Sequence, residues 1–599
     1  VEINMSESKM NWDLTSYFPE FNGKEMKEFK KNLIADLNTI VDLARSLEDI
    51  SPGNLDYWEK VFISGEELSR RYSHLRSYVG CLSAADGNNE DYLKEEADMI
   101  ALGSRFEKLG VEILGKLANA DRDTVDRLKA LESLATSSYY IERLFEESRK
   151  RMTDEKEVLA SDLAVDGMKS WGRLYNTVSG KLMFDMKFPD GKVKRLPMSQ
   201  RRSLMEDPDR EIRKQAFYGG NNAWKEVEDV AASCLNAISG TRLTLNEHRG
   251  ISHFLDVALY QSSISSETLN AMFEAIYEEI EVPKNILRYK AELIGEKVIS
   301  WYDLGAPLDI KDRMAVDWDN AKSMVSESFT SAYPKLGEFV DDVYKRNWID
   351  WEPREGKRPG GFCTGSMLTN ESRIFMTYNK SLGDVLTLAH EAGHAFHSFI
   401  MKDQRPYRRY YPMTLAETAS TFGEMILGRG ILGNIDISDQ EKALMLDTEI
   451  NHGAIYLIDI PVRFEFEKSL YEERENGILN VSRLNELMEE TQRKVFGDVL
   501  DETDPFFWAS KLHFYITGVT FYNFPYTFGY LLSRALFNMF EKEGEGFLEK
   551  YENFLEISGS FSCEEVVRRS IDEDITDKNF WSRSIKTLEE PLRNLKEII

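Results

Sequence analysis

The run Asp384-Val-Leu-Thr-Leu-Ala-His390-Glu391-Ala-Gly-His394-Ala-Phe-His397 decides how the chain is read. Val385, Leu388, Ala389, Ala392 and Phe396 recur at helical spacing, and Asp384 can cap the start, so the segment predicts a helix with one apolar stripe. On such a helix His390 and His394 stand one turn apart and point the same way, so both imidazoles reach one ion. Glu391, directly after the first histidine, can approach a water beside that ion and act as its base. With 8 histidines in 599 residues, chance would set such a run in roughly one chain in a hundred. Two ordinary surface histidines are therefore the weaker reading.

A catalytic zinc takes three protein ligands and keeps a fourth position open. The longer pattern HExxHxxGxxH is not met, because His397 stands in the glycine position and Ile400 in that of the third histidine. A carboxylate further along is expected instead. Thr414-Leu-Ala-Glu417-Thr-Ala-Ser-Thr-Phe-Gly-Glu424 begins a second helix, and Glu417 is the expected third ligand of a single Zn2+ ion. Thr414 and Glu417 also have the spacing of a capping box, in which the glutamate would only satisfy a backbone amide. Glu424, two turns later, is the substitute ligand, or the support of one histidine if Glu417 ligates. His397 shares the face of His390 and is expected to pack or support. The chemistry implied is hydrolysis by a metal-activated water with Glu391 as general base.

Outward from this run the chain reads as mostly α-helical. No proline occurs between Pro52 and Pro189, and Leu68, Tyr72, Leu75 and Val79 share one helical face, so residues 20–180 predict several long, packed helices. A β-hairpin is expected over 181–196, turning at Asp190-Gly191. A small sheet is expected between Trp348 and Asn379, just ahead of the HExxH helix. There Pro353, Pro359, Gly360, Gly361 and Gly365 mark loops and Ser372 to Tyr378 alternates as a strand. The glycine loop lacks GKS or GKT and is no phosphate loop; it allows a close backbone approach or makes a plain turn. The strand Arg373–Tyr378 reads equally as a packed strand and as the partner of an extended peptide. At 599 residues the chain exceeds one core. The expected division is 1–198, a helical lobe ending in the hairpin, and 199–599, the domain carrying HExxH.

Lysine and arginine total 75 against 103 acidic residues, a formal charge of -28. Such a balance repels nucleic acid and anionic membrane, so neither is expected as a partner. Cys81, Cys234, Cys363 and Cys563 are far apart, which points away from a disulfide framework or a cysteine-ligated zinc and suits a reducing cytoplasm. The stretch Val1–Met10 lacks the apolar core of a signal peptide, and no run of about 18 apolar residues is present. A cytoplasmic location is expected.

The segment from Tyr378 to Ser398 resembles the oligoendopeptidase F branch of the thimet-oligopeptidase family. Further likeness lies in the loop Gly356-Lys357-Arg358-Pro-Gly-Gly361-Phe-Cys-Thr-Gly365, in Ala416-Glu417 to Glu424, and in the opening Trp12-Asp13-Leu14 with Tyr17-Phe18. The resemblance implies a cytosolic zinc endopeptidase acting on oligopeptides. It implies a mostly α-helical fold, two lobes enclosing a deep substrate channel. In the segment His513 to Gly529 it implies a histidine and tyrosines that donate hydrogen bonds to the substrate carbonyl and the oxyanion. These are His513, Tyr522 and Tyr526, with Tyr515 and Tyr530 as alternatives and a buried aromatic helix as the plain reading. Two other functions compete. Trimming from a peptide C-terminus would need a cation for the free carboxylate, for which Lys511, Arg405, Arg408 and Arg409 are available. A silent peptide-binding protein would have no need of Glu391.

Overall fold

The computed structural model describes residues 10–308 and 315–599. Residues 1–9, most of the stretch read for a leader, lie outside the described residues. The chain is mostly helical, with a two-stranded and a three-stranded sheet. It forms two compact units, each assembled from three separate stretches: Val1–Arg151, Arg313–Ile437 and Leu536–Glu573 in the first, and Met152–Asp312, Ser438–Ala535 and Asp574–Ile599 in the second. These units do not follow the linear division at 198/199: residues after 151 already belong with the second unit, and HExxH belongs with the N-terminal helices.

In the first unit, helices α1 (Lys24–Ser46), α2 (Leu55–Ala85) and α3 (Glu90–Ala118) pack together around Leu33, Leu37, Trp58, Phe62 and Leu75, all fully buried. The opening segment is part of this core. Trp12, Leu14, Tyr17 and Phe18 are buried, and Tyr17 stacks on His74 of α2 with ring centroids 4.9 Å apart. The small sheet consists of β1 (Ile349–Asp350), β2 (Phe362–Ser366) and β3 (Glu371–Phe375), in the order β1-β3-β2. Strand β3 pairs parallel with β1 and antiparallel with β2, Phe375 facing Phe362 and Glu371 facing Ser366. Arg373 reaches from β3 to the carbonyl of Asp13 (2.9 Å), and His74 Nδ1 lies 2.7 Å from Ser366 Oγ, so sheet, opening segment and α2 are one structure.

The strand expected over 372–378 ends at Phe375. Beyond it, Met376 and Tyr378 still donate backbone hydrogen bonds to Asp350 and Trp351, and the Tyr378 hydroxyl donates to Val316. Because β3 is the central strand, it cannot serve as the free edge for an extended peptide; β2 is the outer strand of that side. The glycine loop before β2 is fastened to α2 and α3. Arg358 N donates to the Ala84 carbonyl and its guanidinium pairs with Glu96 at 2.6 Å.

Two helices follow the sheet. Helix α4 (Leu382–Ile400) starts three residues earlier than expected: Ser381 is its cap, and Asp384 reaches back to the Ser381 amide at 2.9 Å as the third residue of a capping box. Helix α5 (Thr418–Gly433) crosses α4 at glycines. A Cβ on Gly393 would lie 2.4 Å from the Ala419 carbonyl oxygen, and one on Gly423 would lie 2.8 Å from that of Ala389. Only hydrogen at both positions allows the backbones this close.

In the second unit, strands Met183–Lys187 and Val193–Pro197 form the expected hairpin, with Gly191 at φ +82° in the turn. The four cysteines are free thiols. Among the described residues no helix is long and apolar enough to cross a membrane.

Candidate metal centre

The glycine crossing of α4 and α5 brings three ligand atoms together. Glu417, at the start of α5, sets Oε2 3.3 Å from His390 Nε2 and 3.5 Å from His394 Nε2. Each of the three residues offers one ligand atom within 4.8 Å of the others, the only such group among the described residues. The capping-box alternative for Glu417 is absent: Thr414 is buried, with Oγ1 3.3 Å from Cys563 Sγ, and Pro412 precedes its helix. Ser420 Oγ donates to Glu417 Oε2 at 3.0 Å and holds the carboxylate in place. Two imidazoles and a carboxylate are a donor set that fits a divalent transition metal, zinc in particular.

Glu424 lies one step behind. Its Oε1 is 2.5 Å from His390 Nδ1, which fixes a hydrogen on Nδ1 and turns Nε2 toward Glu417. Burial pulls the His390 pKa down, but its hydrogen bonds to Glu417 and Glu424 outweigh that and hold it up to about 10. Burial raises the Glu417 pKa, but its contacts with His390 and His394 outweigh that and hold it well below the usual carboxylate range. Without an ion, a proton on His390 therefore balances the two carboxylates, and a cation binding there displaces it.

Glu391 is 6 % exposed, its Oε2 has no hydrogen-bond partner among the described residues, and burial raises its pKa. A buried polar oxygen left unpaired is costly, so the site has room for a polar partner there. The glycine loop runs over it: a Cβ on Gly361 would lie 3.3 Å from Glu391 Oε1. His397 is fully buried, stacks on Tyr411 at 4.2 Å, and its Nε2 lies 3.1 Å from the Leu555 carbonyl, a packing position. Gly361, Gly393 and Gly423 are the residues that the motif spacing did not single out for this geometry. Their signal was the small side chain inside or beside each motif.

His513, Tyr522 and Tyr526 belong to the second unit and gather there. The His513 ring lies 5.2 Å from that of Tyr522 and 6.2 Å from that of Tyr526, parallel to the latter within 11°. The segment is no aromatic helix. His513 sits in a short 3-10 turn, residues 516–523 form a loop, and Tyr526 lies in the first turn of the helix Phe524–Glu543. Arg242 holds that loop by donating to the carbonyls of Ile516 (2.5 Å) and Val519 (2.6 Å). Phe521 adopts φ +51°, its amide donating to the buried Glu467 at 3.0 Å. Tyr515 is engaged elsewhere, stacked on Tyr175 at 3.5 Å with its hydroxyl donating to the Trp508 carbonyl; Tyr530 is buried and stacked on Tyr456. Of the cations named for a C-terminal carboxylate, Arg405 pairs with Glu66, Arg408 donates to Ser560, Arg409 donates to Asn370, and Lys511 is half-buried over the Phe507 ring.

Residues 203–587 match the model of peptidase family M3, and residues 116–184 match that of oligopeptidase F. The chain belongs to peptidase family M3. As a member of this family it is a peptidase, and the family implies a metal cofactor, for which the group formed by His390, His394 and Glu417 is suited. Oligopeptidase PepF of Bacillus subtilis is 24 % identical over 605 residues, covering 98 % of this chain and 87 % of the relative. An oligoendopeptidase F homolog of Lactococcus lactis subsp. lactis is 23 % identical over 606 residues, covering 99 % and 97 %. The crystal structure of oligoendopeptidase-F from Enterococcus faecium superposes with a TM-score of 0.68 at 19 % identity, covering 96 % of this chain and 99 % of that one. PZ peptidase A superposes at 0.72 and 16 %, covering 94 % and 97 %. The family fold is thus that of this M3 peptidase along nearly its whole length.

Proposed function

We propose that this M3 peptidase is a zinc-dependent endopeptidase that hydrolyses internal bonds of short oligopeptides in the cytoplasm. The observation that carries the reading is the convergence of His390 Nε2, His394 Nε2 and Glu417 Oε2 beside the buried, unpartnered oxygen of Glu391. The names of the relatives, oligopeptidase and oligoendopeptidase, support the substrate class.

His390, His394 and Glu417 hold the ion, and Glu424 orients His390 from behind. Zinc, when bound, supplies a Lewis acid that polarises the scissile carbonyl and makes water acidic enough to lose a proton near neutral pH. Glu391 takes that proton on Oε2 as the water attacks and passes it to the leaving amine. Burial suits it to both steps, since a carboxyl with a raised pKa holds a proton longer than a solvated one. Gly361 keeps the space over Glu391 clear for a peptide backbone, and the outer strand β2 offers an edge along which an extended peptide can lie. For His513, Tyr522 and Tyr526 the family resemblance implies hydrogen-bond donors to a peptide substrate.

The test is hydrolysis of an internally quenched peptide of about eight residues, blocked at both ends, by protein of measured zinc content. Internal cleavage that disappears with zinc removal and returns with zinc, while folded casein-sized substrates stay intact, is expected. No cleavage of the blocked peptide by zinc-loaded protein would sink the endopeptidase reading. Cleavage of unblocked C-termini alone would replace it with trimming.

A further inference from the structure

Within the first unit, β2 runs along α4. A Cβ on Gly361, just before β2, would lie 3.3 Å from Glu391 Oε1 and 3.4 Å from Thr387 Cγ2. Ser398 stands two turns beyond Glu391 on the same helix, and at that end Ser398 and Gly365 of β2 line one cavity of about 220 Å3. From Glu391 to this cavity is about 10 Å along the helix and about 13 Å along the strand, roughly four residues of an extended peptide. Arg409, Tyr411, Trp348 and Phe399 also line the cavity, and the Tyr411 ring stacks on that of His397 at 4.2 Å. The cavity therefore belongs to the same unit as the metal group, at the far end of the strand that begins over Glu391.

Arg409 is half-buried in this wall. Its only hydrogen bond among the described residues runs from Nη1 to Asn370 Oδ1 at 3.0 Å, and no carboxylate among them lies within ion-pair distance. Burial lowers its pKa, opposed by Tyr411, Tyr410 and Asp403, yet a guanidinium stays charged at any physiological pH. A cation taken partly out of water without a counter-charge is costly, and the guanidinium fork matches a carboxylate. The other charged side chain on the cavity, Glu371, is already engaged, with Arg373 at 3.0 Å and Ser16 at 2.5 Å. The hydroxyls of Ser398 and Tyr411 make no hydrogen bond among the described residues and are further donors.

We propose that the Arg409 cavity is a subsite that binds a carboxylate of the peptide substrate, about four residues from the scissile bond. Trp348 and Phe399 give the stem of that group an apolar wall. Two sources present the carboxylate, an acidic side chain and the C-terminus of the peptide. A peptide antiparallel to β2 brings residues on the N-terminal side of the scissile bond to the cavity, where only a side chain carries the group. A parallel one brings the C-terminal side. The inference rests on the reading of the protein as a peptidase whose substrate lies along β2.

The test uses zinc-loaded protein and two sets of quenched peptides. In the first, blocked at both ends, one Gln at a time becomes Glu; in the second, the peptide ends in a free carboxylate or an amide. One position in the first set, or the free terminus in the second, is expected to gain about tenfold in kcat/KM, through KM. In Arg409→Gln the preference for acid over amide should vanish, and in Arg409→Lys part of it should remain. A gain in the first set assigns an acidic side chain, and a gain in the second assigns the C-terminus. Equal rates for acid and amide throughout, or a preference that persists in Arg409→Gln, overturns the subsite. If no peptide is cut, the peptidase reading falls, and the same pairs are compared by binding. Tighter binding of the acid, lost in Arg409→Gln, keeps the cavity as a carboxylate site; equal binding overturns it.

Discussion

Glu391 and His397 sit on the same helix, two turns apart, and burial acts on them with opposite consequences. Glu391 is raised by burial and has an oxygen facing no partner. Replacing it with glutamine removes the proposed base and keeps the shape, so kcat is expected to fall roughly 10^2- to 10^4-fold with zinc content unchanged, as peptide assays and metal analysis would show. His397 is buried neutral, its pKa pushed down by burial to about 3 from an ordinary 6.5. Between those values the unfolded chain binds a proton that the folded protein does not. Its contribution to stability is therefore complete above pH 6.5 and is lost as pH falls toward 3. At pH 5 the loss relative to neutral pH is about 2 kcal/mol. His397→Gln keeps a donor for the Leu555 carbonyl and removes the titration. Urea midpoints of zinc-free protein at pH 7 and pH 5 should differ less in this variant than in the parent; an equal difference would show that His397 does not titrate as argued.

At the scale of elements, the distance between α4 and α5 is set by Gly393 and Gly423. Gly393→Ala places a methyl group against the Ala419 carbonyl, and the resulting overpacking is expected to cost about 1–3 kcal/mol. Because Glu417 stands at the N-cap of α5 and Glu424 lies on it, the same shift moves the proposed third ligand. Zinc affinity is expected to fall together with Tm, whereas an exposed control such as Gly433→Ala, with nothing within 4 Å of the added carbon, should change neither. A lowered Tm with unaltered zinc affinity would mean that the glycines serve packing alone.

At the scale of the molecule, the first unit contains both the proposed ligands and the core around α2, so zinc binding is linked to the stability of that unit. Free zinc at a hundred times its dissociation constant should stabilise the folded state by about 2.7 kcal/mol, read as a rise in Tm that a chelator reverses. Glu417→Gln, which keeps size and removes the charge, should abolish most of that rise. A zinc-dependent rise unchanged in Glu417→Gln would place the metal elsewhere.

Local chemistry was legible in the chain itself. The helical period around residues 382–400, the turn at Asp190-Gly191 and the glycine- and proline-marked sheet are properties of neighbouring residues, and sequence periodicity reports such properties directly. The pairing of His390 with His394 on one helix face is of the same kind. What joins distant stretches was not legible. That β3 lies between β1 and β2, that the opening segment is bolted to it through Arg373, and that each unit draws on three stretches follow from packing. The choice of Ser381 over Asp384 as cap was settled by one backbone turn that both residues could have made. Glu417 and Glu424 each had two readings by spacing. Only the crossing of α4 over α5, close enough to require glycine on both helices, turned one carboxylate toward the histidine nitrogens and the other behind His390.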